Sequence, residues 1–349
     1  MKITLHKVTL NKRFPLAISR GVHYNSENLF VRYEKDGIVG WGEAAPGKAE
    51  GAGTISHVKQ SIEKFISEGI EGQSIQKLYD ISRQLDIPPC AYVGLDTAFW
   101  DWTAKKAGVP LYQMLGFSKP FRPTSITIGI NTPEVVKERV ALLLEGTTVK
   151  SLKIKLGSPE GIEADKSMFE QVVESTRKYN VKIRVDANGG WNLSDAKKMM
   201  PWLAERDVDY IEQPLKEGEE GYLKDLFKNR ALPIYVDESC RFSENIPSFA
   251  EHVDGVNMKL MKCGGITEAL RIIGTARAHK LKTMIGCMSE SSVSIAAAAS
   301  LTGGIDHIDL DSHYNLSPDP STGAPLVNGI TLPQEIPGHG AELKKEFYA

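Results

Sequence analysis

The sequence predicts an α/β protein: a (β/α)8-type, TIM-like barrel with an N-terminal α+β capping domain. Two textures predict it. The first 45 or so residues read as antiparallel strands, and from about Thr124 short β-rich runs alternate regularly with helical stretches. The runs lie at 125–130, 151–156, 182–186, 208–212, 233–237, 255–259, 282–286 and 305–309, roughly 25 residues apart. Strands alternating with helices imply βαβ units and a parallel sheet, and eight of them at this interval fit a closed barrel better than an open sheet.

In the capping region, residues 28–34 form a strand, Lys35-Asp36-Gly37 the turn and Ile38–Glu43 the return strand; Asp-Gly is a strong hairpin signal. Helical periodicity runs from about His57 to Lys106. Leu95, Phe99 and Trp102 fall on one helix face, which leaves Asp96 and Asp101 as expected solvated positions, and Gly108-Val-Pro110 ends that helix. Between barrel strands, helices are expected at 133–145, 163–179, 194–206 and 266–279. The division expected is 1–120 for the cap and 121–319 for the barrel. The Pro- and Gly-rich tail should return to irregular structure, with 320–349 packing back on the cap.

Composition narrows the function. The chain has 349 residues, 41% of them hydrophobic and 25% charged, with a net charge of −2. That balance argues against nucleic-acid or membrane-surface partners. No signal peptide and no run long enough to span a bilayer are seen. Cys90, Cys240, Cys263 and Cys287 are scattered, which suggests free thiols and a cytoplasmic protein. No Gly-x-Gly-x-x-Gly opens a helix after a strand and no phosphate-binding loop is present, so a dinucleotide or nucleotide site loses its main support.

Barrel chemistry sits where strands end. In Ser-Leu-Lys153-Ile-Lys155-Leu the strand period of two puts both lysines on one face, opposite Leu152, Ile154 and Leu156. Paired cations contribute little to stability and suit a site that tunes a lysine and aims it at an anion. Three following strands end in Asp186, Glu212 and Asp237, each about one βα unit from the next. Each could be a helix N-cap taken singly. Three converging carboxylates at matched positions require a cation, and hard oxygen ligands suit Mg²⁺. The sixth strand ends in Lys259, across the mouth from Lys153 and Lys155. Lys262 is expected on the surface. The last strand ends in Asp309-Leu-Asp311, whose acids share a face and suit a cationic substrate group.

In order, Lys153-x-Lys155, Asp186-Ala-Asn188, Glu212-Gln-Pro214, Asp237-Glu-Ser239, Lys259 and Gly264-Gly265 resemble the enolase superfamily, muconate lactonizing enzyme subgroup, over nearly the whole chain. Gly40-Trp-Gly-Glu43 and Gly108-Val-Pro-Leu-Tyr-Gln-Met-Leu-Gly116 belong to the same match. Asp309-x-Asp311 looks like the dipeptide epimerases, where this pair binds the dipeptide's α-ammonium. The resemblance implies a modified barrel, one Mg²⁺ per subunit on Asp186, Glu212 and Asp237, and an enediolate stabilised by that metal. It implies Lys155 and Lys259 as bases on opposite faces of the α-carbon, with Lys153 near the substrate carboxylate, depressing the pKa of Lys155. Asn188, Gln213 and Glu238 would orient ligands or lysines.

Arg20 resembles an arginine that grips an acidic side chain, which would make the substrate L-Ala-D/L-Glu, a bacterial cell-wall fragment; an ordinary surface arginine is the equal alternative. Residues 44–56 are expected to be a second specificity loop, and Met288 and Glu290 receive no role. A homo-oligomer is expected. The rival activities are an o-succinylbenzoate synthase or cycloisomerase of the same subgroup, and a non-catalytic metal-binding barrel. A sugar-acid dehydratase is disfavoured because the seventh strand ends without a histidine.

Overall fold

The computed structural model describes residues 1–348. Three antiparallel strands, β1 (Lys2–Ile18), β2 (Gly21–Lys35) and β3 (Ile38–Ala44), pair in that order. Asp36 and Gly37 both take positive φ (55° and 75°), as a two-residue hairpin turn requires. β1 and β2 stay paired out to Ile18 and Gly21, so Ser19-Arg20 is the tip of a β-ribbon.

The helices are α1 (Ile55–Ser67), α2 (Ile75–Gln84), α3 (Pro89–Ala107), the short α4 (Leu111–Met114), α5 (Pro133–Leu144), α6 (Ile162–Thr176), α7 (Leu193–Ala204), α8 (Leu223–Phe227), α9 (Leu260–Cys263), α10 (Ile266–Ala278) and α11 (Ser292–Ala299). Helix α3 ends on Gly108 at φ 73°, as the left-handed cap demands. It lies almost in contact with β3: a Cβ on Gly40 or Gly42 would meet the Ala98 or Gly94 carbonyl at 2.2 or 2.0 Å. Its other side packs on α9 and α10. The expectation for Asp96 and Asp101 is therefore overturned: both are fully buried. A one-sided apolar stripe implies a wet opposite face only when one side is covered, and α3 is covered on both.

The barrel strands are β4 (Ile126–Ile128), β5 (Ser151–Lys155), β6 (Lys182–Asp186), β7 (Val208–Glu212), β8 (Ile234–Val236), β9 (Gly255–Met258), β10 (Lys282–Ile285) and β11 (His307–Ile308). They form one parallel sheet in chain order. A bridge from Thr124 to Ile308 joins its two ends, reinforced by the Ser125 N–H on the Ile308 carbonyl at 3.0 Å. Pairing sets Lys155 beside Asp186 and Asp186 beside Glu212.

The tail turns back: Gly338 exchanges backbone bonds with Val109 and Leu111. Buried His339 reaches the Trp41 carbonyl at 2.9 Å, and the Tyr348 ring packs tilted against Trp41 with centroids 5.2 Å apart. All four cysteines are free. Among the described residues, no helix is long and apolar enough to cross a membrane.

Candidate active site at the barrel mouth

The site is built from strand ends, since a strand that stops leaves its last inward side chains facing the mouth. Asp186, Glu212 and Asp237 are all at most 1% exposed, and each offers an oxygen within 4.8 Å of the others. Lys155 Nζ lies 2.6 Å from Asp186 Oδ2. Lys259 Nζ lies 2.6 Å from Asp237 Oδ2. Since β5 and β9 are four strands apart in a ring of eight, the two ammonium groups approach the acids from opposite sides.

Lys153 lies beside Lys155 and reaches deeper into the cluster. It is 1% exposed and threads down among the acids, 2.7 Å from Glu212, 2.7 Å from Asp309 and 3.2 Å from Asp186 Oδ2. The two lysines share that one Asp186 oxygen.

Electrostatics follow from this pairing. Burial works to raise the Asp186 and Asp237 carboxyls, but the lysines outweigh it and hold both below the usual carboxylate range. Glu212 goes the other way: burial, then the Asp186 charge, push it up to about 7. Burial works to lower Lys153 and Lys259; neighbouring acids outweigh it and keep both above the usual lysine range. A bound cation at the acids would oppose that effect.

The donor set fits a hard divalent cation, being all carboxylate oxygen. Glu212 Oε2 is buried without a hydrogen-bond partner. Its 2.7 Å contact with Lys153 is ionic and lacks hydrogen-bond alignment.

Neighbouring groups fix the acids. The Asn188 N–H donates to Asp186 Oδ1 at 2.7 Å and its side-chain amide to Asp186 Oδ2 at 3.2 Å. Gln213 Oε1 accepts the Asp237 N–H at 2.8 Å. Both Asn188 and Gln213 hold positive φ (45° and 37°), a conformation that costs energy in residues with a Cβ and clusters at functional sites.

Glu238 pairs with Arg20 at 2.8 Å, and Arg20 also donates to the Asn188 carbonyl at 2.9 Å. Ser19 Oγ reaches the same carbonyl at 3.0 Å. The ribbon tip thus docks on the mouth.

At the last strand, Asp309 and Asp311 diverge. Asp309 Oδ2 meets Lys153, while its Oδ1 is buried without a hydrogen-bond partner. Asp311 Oδ2 accepts the Thr127 N–H at 2.6 Å. Burial, then the Asp309 charge, push Asp311 up to about 6.

Two residues were missed or misplaced from sequence. Asn257 is fully buried and its amide holds Glu212 Oε1 at 2.7 Å; the period-two rule that finds Lys259 also points to it. Lys262 is not on the surface. It is 1% exposed, with Nζ 2.6 Å from Asp237 Oδ1, because α9 turns it back under the strand end. Segment 44–56 packs on the loop after β8, where Glu50 pairs with Arg241 at 3.2 Å. Glu290 is buried and folded onto the Met288 N–H at 2.7 Å.

Cap, barrel and a lysine-flanked carboxylate cluster define a protein built for metal-assisted proton transfer next to a carboxylate. Residues 1–116 match the mandelate racemase / muconate lactonizing enzyme N-terminal domain, and residues 135–347 match the enolase C-terminal domain-like family. The chain belongs to the mandelate racemase / muconate lactonizing enzyme family of the enolase superfamily.

It is 79% identical to a hydrophobic dipeptide epimerase of Flavobacteria bacterium (strain MS024-2A), over 100% of both chains. To a hydrophobic dipeptide epimerase of Roseobacter litoralis it is 58% identical, over 98% of this chain and 99% of the relative. Among solved structures, the Enterococcus faecalis V583 dipeptide epimerase complexed with Mg and L-Leu-L-Tyr is similar at TM-score 0.89. That match has 31% identity and covers 97% of this chain and 98% of the other.

Proposed function

We propose that this protein is a Mg²⁺-dependent dipeptide epimerase, an isomerase that inverts the α-carbon of the C-terminal residue of a dipeptide. The observation that carries the reading is the pair of lysines facing one carboxylate cluster from opposite sides, Lys155 on Asp186 and Lys259 on Asp237. Asp186, Glu212 and Asp237 would hold the metal, which supplies positive charge to the substrate carboxylate and so eases loss of the adjacent proton. One lysine takes the α-proton and the other returns a proton to the opposite face. Lys153 stays charged among the acids. Asp309 Oδ1, free of protein donors, accepts the substrate's α-ammonium; this favours dipeptides over the ammonium-free substrates of a succinylbenzoate synthase or cycloisomerase.

The side chains taken are apolar. The 79% and 58% identical relatives are named hydrophobic dipeptide epimerases, and Arg20 is already paired with Glu238. An acidic substrate such as L-Ala-L-Glu is the second reading, favoured by the presence of Arg20 at the mouth. Reading the products of a panel of L,L-dipeptides with Mg²⁺ by chiral chromatography separates the two. Apolar dipeptides should turn over faster than L-Ala-L-Glu, and the opposite order would return Arg20 to substrate recognition. The free thiols fit a cytoplasmic home, and a homo-oligomer is the proposed assembly, measurable by light scattering.

A further inference from the structure

Lys262 has no part in the reaction above, yet it is buried as deeply as Lys153. Its Nζ has three oxygen neighbours: Asp237 Oδ1 at 2.6 Å, the Asn257 carbonyl at 2.9 Å and the backbone carbonyl of Asp237 itself. Three protons meet three acceptors, so the ammonium is saturated and fixed. An apolar side chain would fill the space without the desolvation cost of a buried charge, so packing alone does not account for a lysine here.

The three carboxylates share one plan. Each turns one oxygen back to a fixed donor and one forward to the lysines of the mouth. The rear contacts are Asp186 Oδ1 to the Asn188 N–H at 2.7 Å, Glu212 Oε1 to the Asn257 amide at 2.7 Å, and Asp237 Oδ1 to Lys262 at 2.6 Å. The forward contacts are Asp186 Oδ2 to Lys155, Glu212 Oε2 to Lys153 and Asp237 Oδ2 to Lys259. Two rear tethers are neutral amides and the third is a cation. Asp186 and Glu212 share Lys153 as a cation other than the proposed bases, both at their forward oxygens; Asp237 has its own, Lys262, at the rear. Asn257 ties the arrangement together, since its amide holds Glu212 while its carbonyl holds Lys262.

We propose that Lys262 is a positioning residue of the metal centre: it holds the rear oxygen of Asp237 and supplies its counter-charge, so that the forward oxygen faces Mg²⁺ and Lys259 is released toward the α-carbon. The second half rests on the epimerase reading; the metal half does not. The test is calorimetric titration of MgCl₂ into the metal-free full-length protein and its Lys262→Met, Lys262→Gln and Lys262→Arg variants, each with a melting curve. Losing a partner that orients a metal ligand costs about 10- to 100-fold in affinity, so K262M and K262Q should bind Mg²⁺ weaker by that factor.

K262R, which keeps the charge, should stay within a few-fold of wild type and remains measurable if the neutral variants do not fold. A folded neutral variant with wild-type Mg²⁺ affinity overturns the proposal, as does a folded K262R that has lost affinity to the extent predicted for K262M. At saturating Mg²⁺ in D₂O, folded neutral variants should lose α-proton exchange on the Lys259 face more than on the Lys155 face. Equal loss on both faces would mean a merely structural role. Weak Mg²⁺ binding by the neutral variants, with no dipeptide exchanged even by wild type, would sink the epimerase reading and leave the metal assignment standing.

Discussion

Two sets of carboxylates are equally buried in this protein and do opposite things. At the seam between cap and barrel, Glu43 accepts from Ser291 N–H and Oγ, Ser294 N–H and the Asn28 amide, which caps the first turn of α11. Asp96 accepts the Thr267 N–H at 3.1 Å and its hydroxyl at 2.5 Å, which caps α10. The cap domain thus lends its acids to helix N-termini of the barrel, where bare N–H groups need acceptors. Their hydrogen-bond donors are neutral, so burial wins and both carboxyls rise to about 7. At the mouth, Asp186 and Asp237 are just as dry but face ammonium groups, and fall, while Glu212 beside the Asp186 charge rises. Burial of an acid does not mark a site. Nor does a single lysine partner, since buried Asp101 of the cap pairs with Lys105 at 2.6 Å. What sets the mouth apart is three carboxylates converging within 4.8 Å with lysines between them.

This contrast can be broken from either side. The largest effect should come from the mouth: Glu212→Gln, or stripping metal with a chelator, should lower kcat/KM by about 10³-fold or more, since metal charge is worth several kcal/mol in the transition state. Restored Mg²⁺ should rescue the stripped wild type and not the variant in a steady-state assay. Next, Asp309→Asn should lower kcat/KM on dipeptides by about 10- to 100-fold, the worth of a hydrogen bond to a charged group. The same change should matter far less for an N-acetylated dipeptide, which has no ammonium; equal losses would remove Asp309 from substrate binding.

The seam should respond in stability and not in chemistry. Glu43→Ala should cost about 1–3 kcal/mol in urea unfolding, from the stranded donors of α11, with kcat near wild type. Glu43→Gln adds a pH test. Glu43 keeps its proton to about pH 7 when native and loses it near 4.5 when unfolded, so its contribution is complete below 4.5 and is lost as pH rises through 7. Stability of wild type relative to E43Q, followed by thermal melting, should therefore fall between those pH values. A constant difference would mean Glu43 is not a buried neutral acid. The smallest effect is expected at Arg20→Ala, less than about tenfold on apolar dipeptides because exposed ion pairs contribute little.

Strand-end chemistry was legible in the sequence because a parallel barrel repeats one geometry. Once Asp186 is at a mouth, the same spacing puts Glu212 and Asp237 there, and period two pairs Lys153 with Lys155. Asn257 escaped although period two points to it, and the rest lies where that periodicity breaks. Lys262 sits in a helical turn just after β9, and no strand rule says that it folds back under Asp237. Asp96 and Asp101 look solvated on a helical wheel, and only tertiary packing on both sides of α3 reverses that.

The proposed reaction requires that Lys155 and Lys259 serve opposite faces of one α-carbon. Its most direct measurement is α-proton exchange by NMR in D₂O with Mg²⁺, using both C-terminal epimers of an apolar dipeptide and the Lys155→Ala and Lys259→Ala variants. Each variant should stop exchange from one epimer and retain it from the other, in mirror-image fashion. If both variants lose exchange equally from both epimers, the two-face account is wrong.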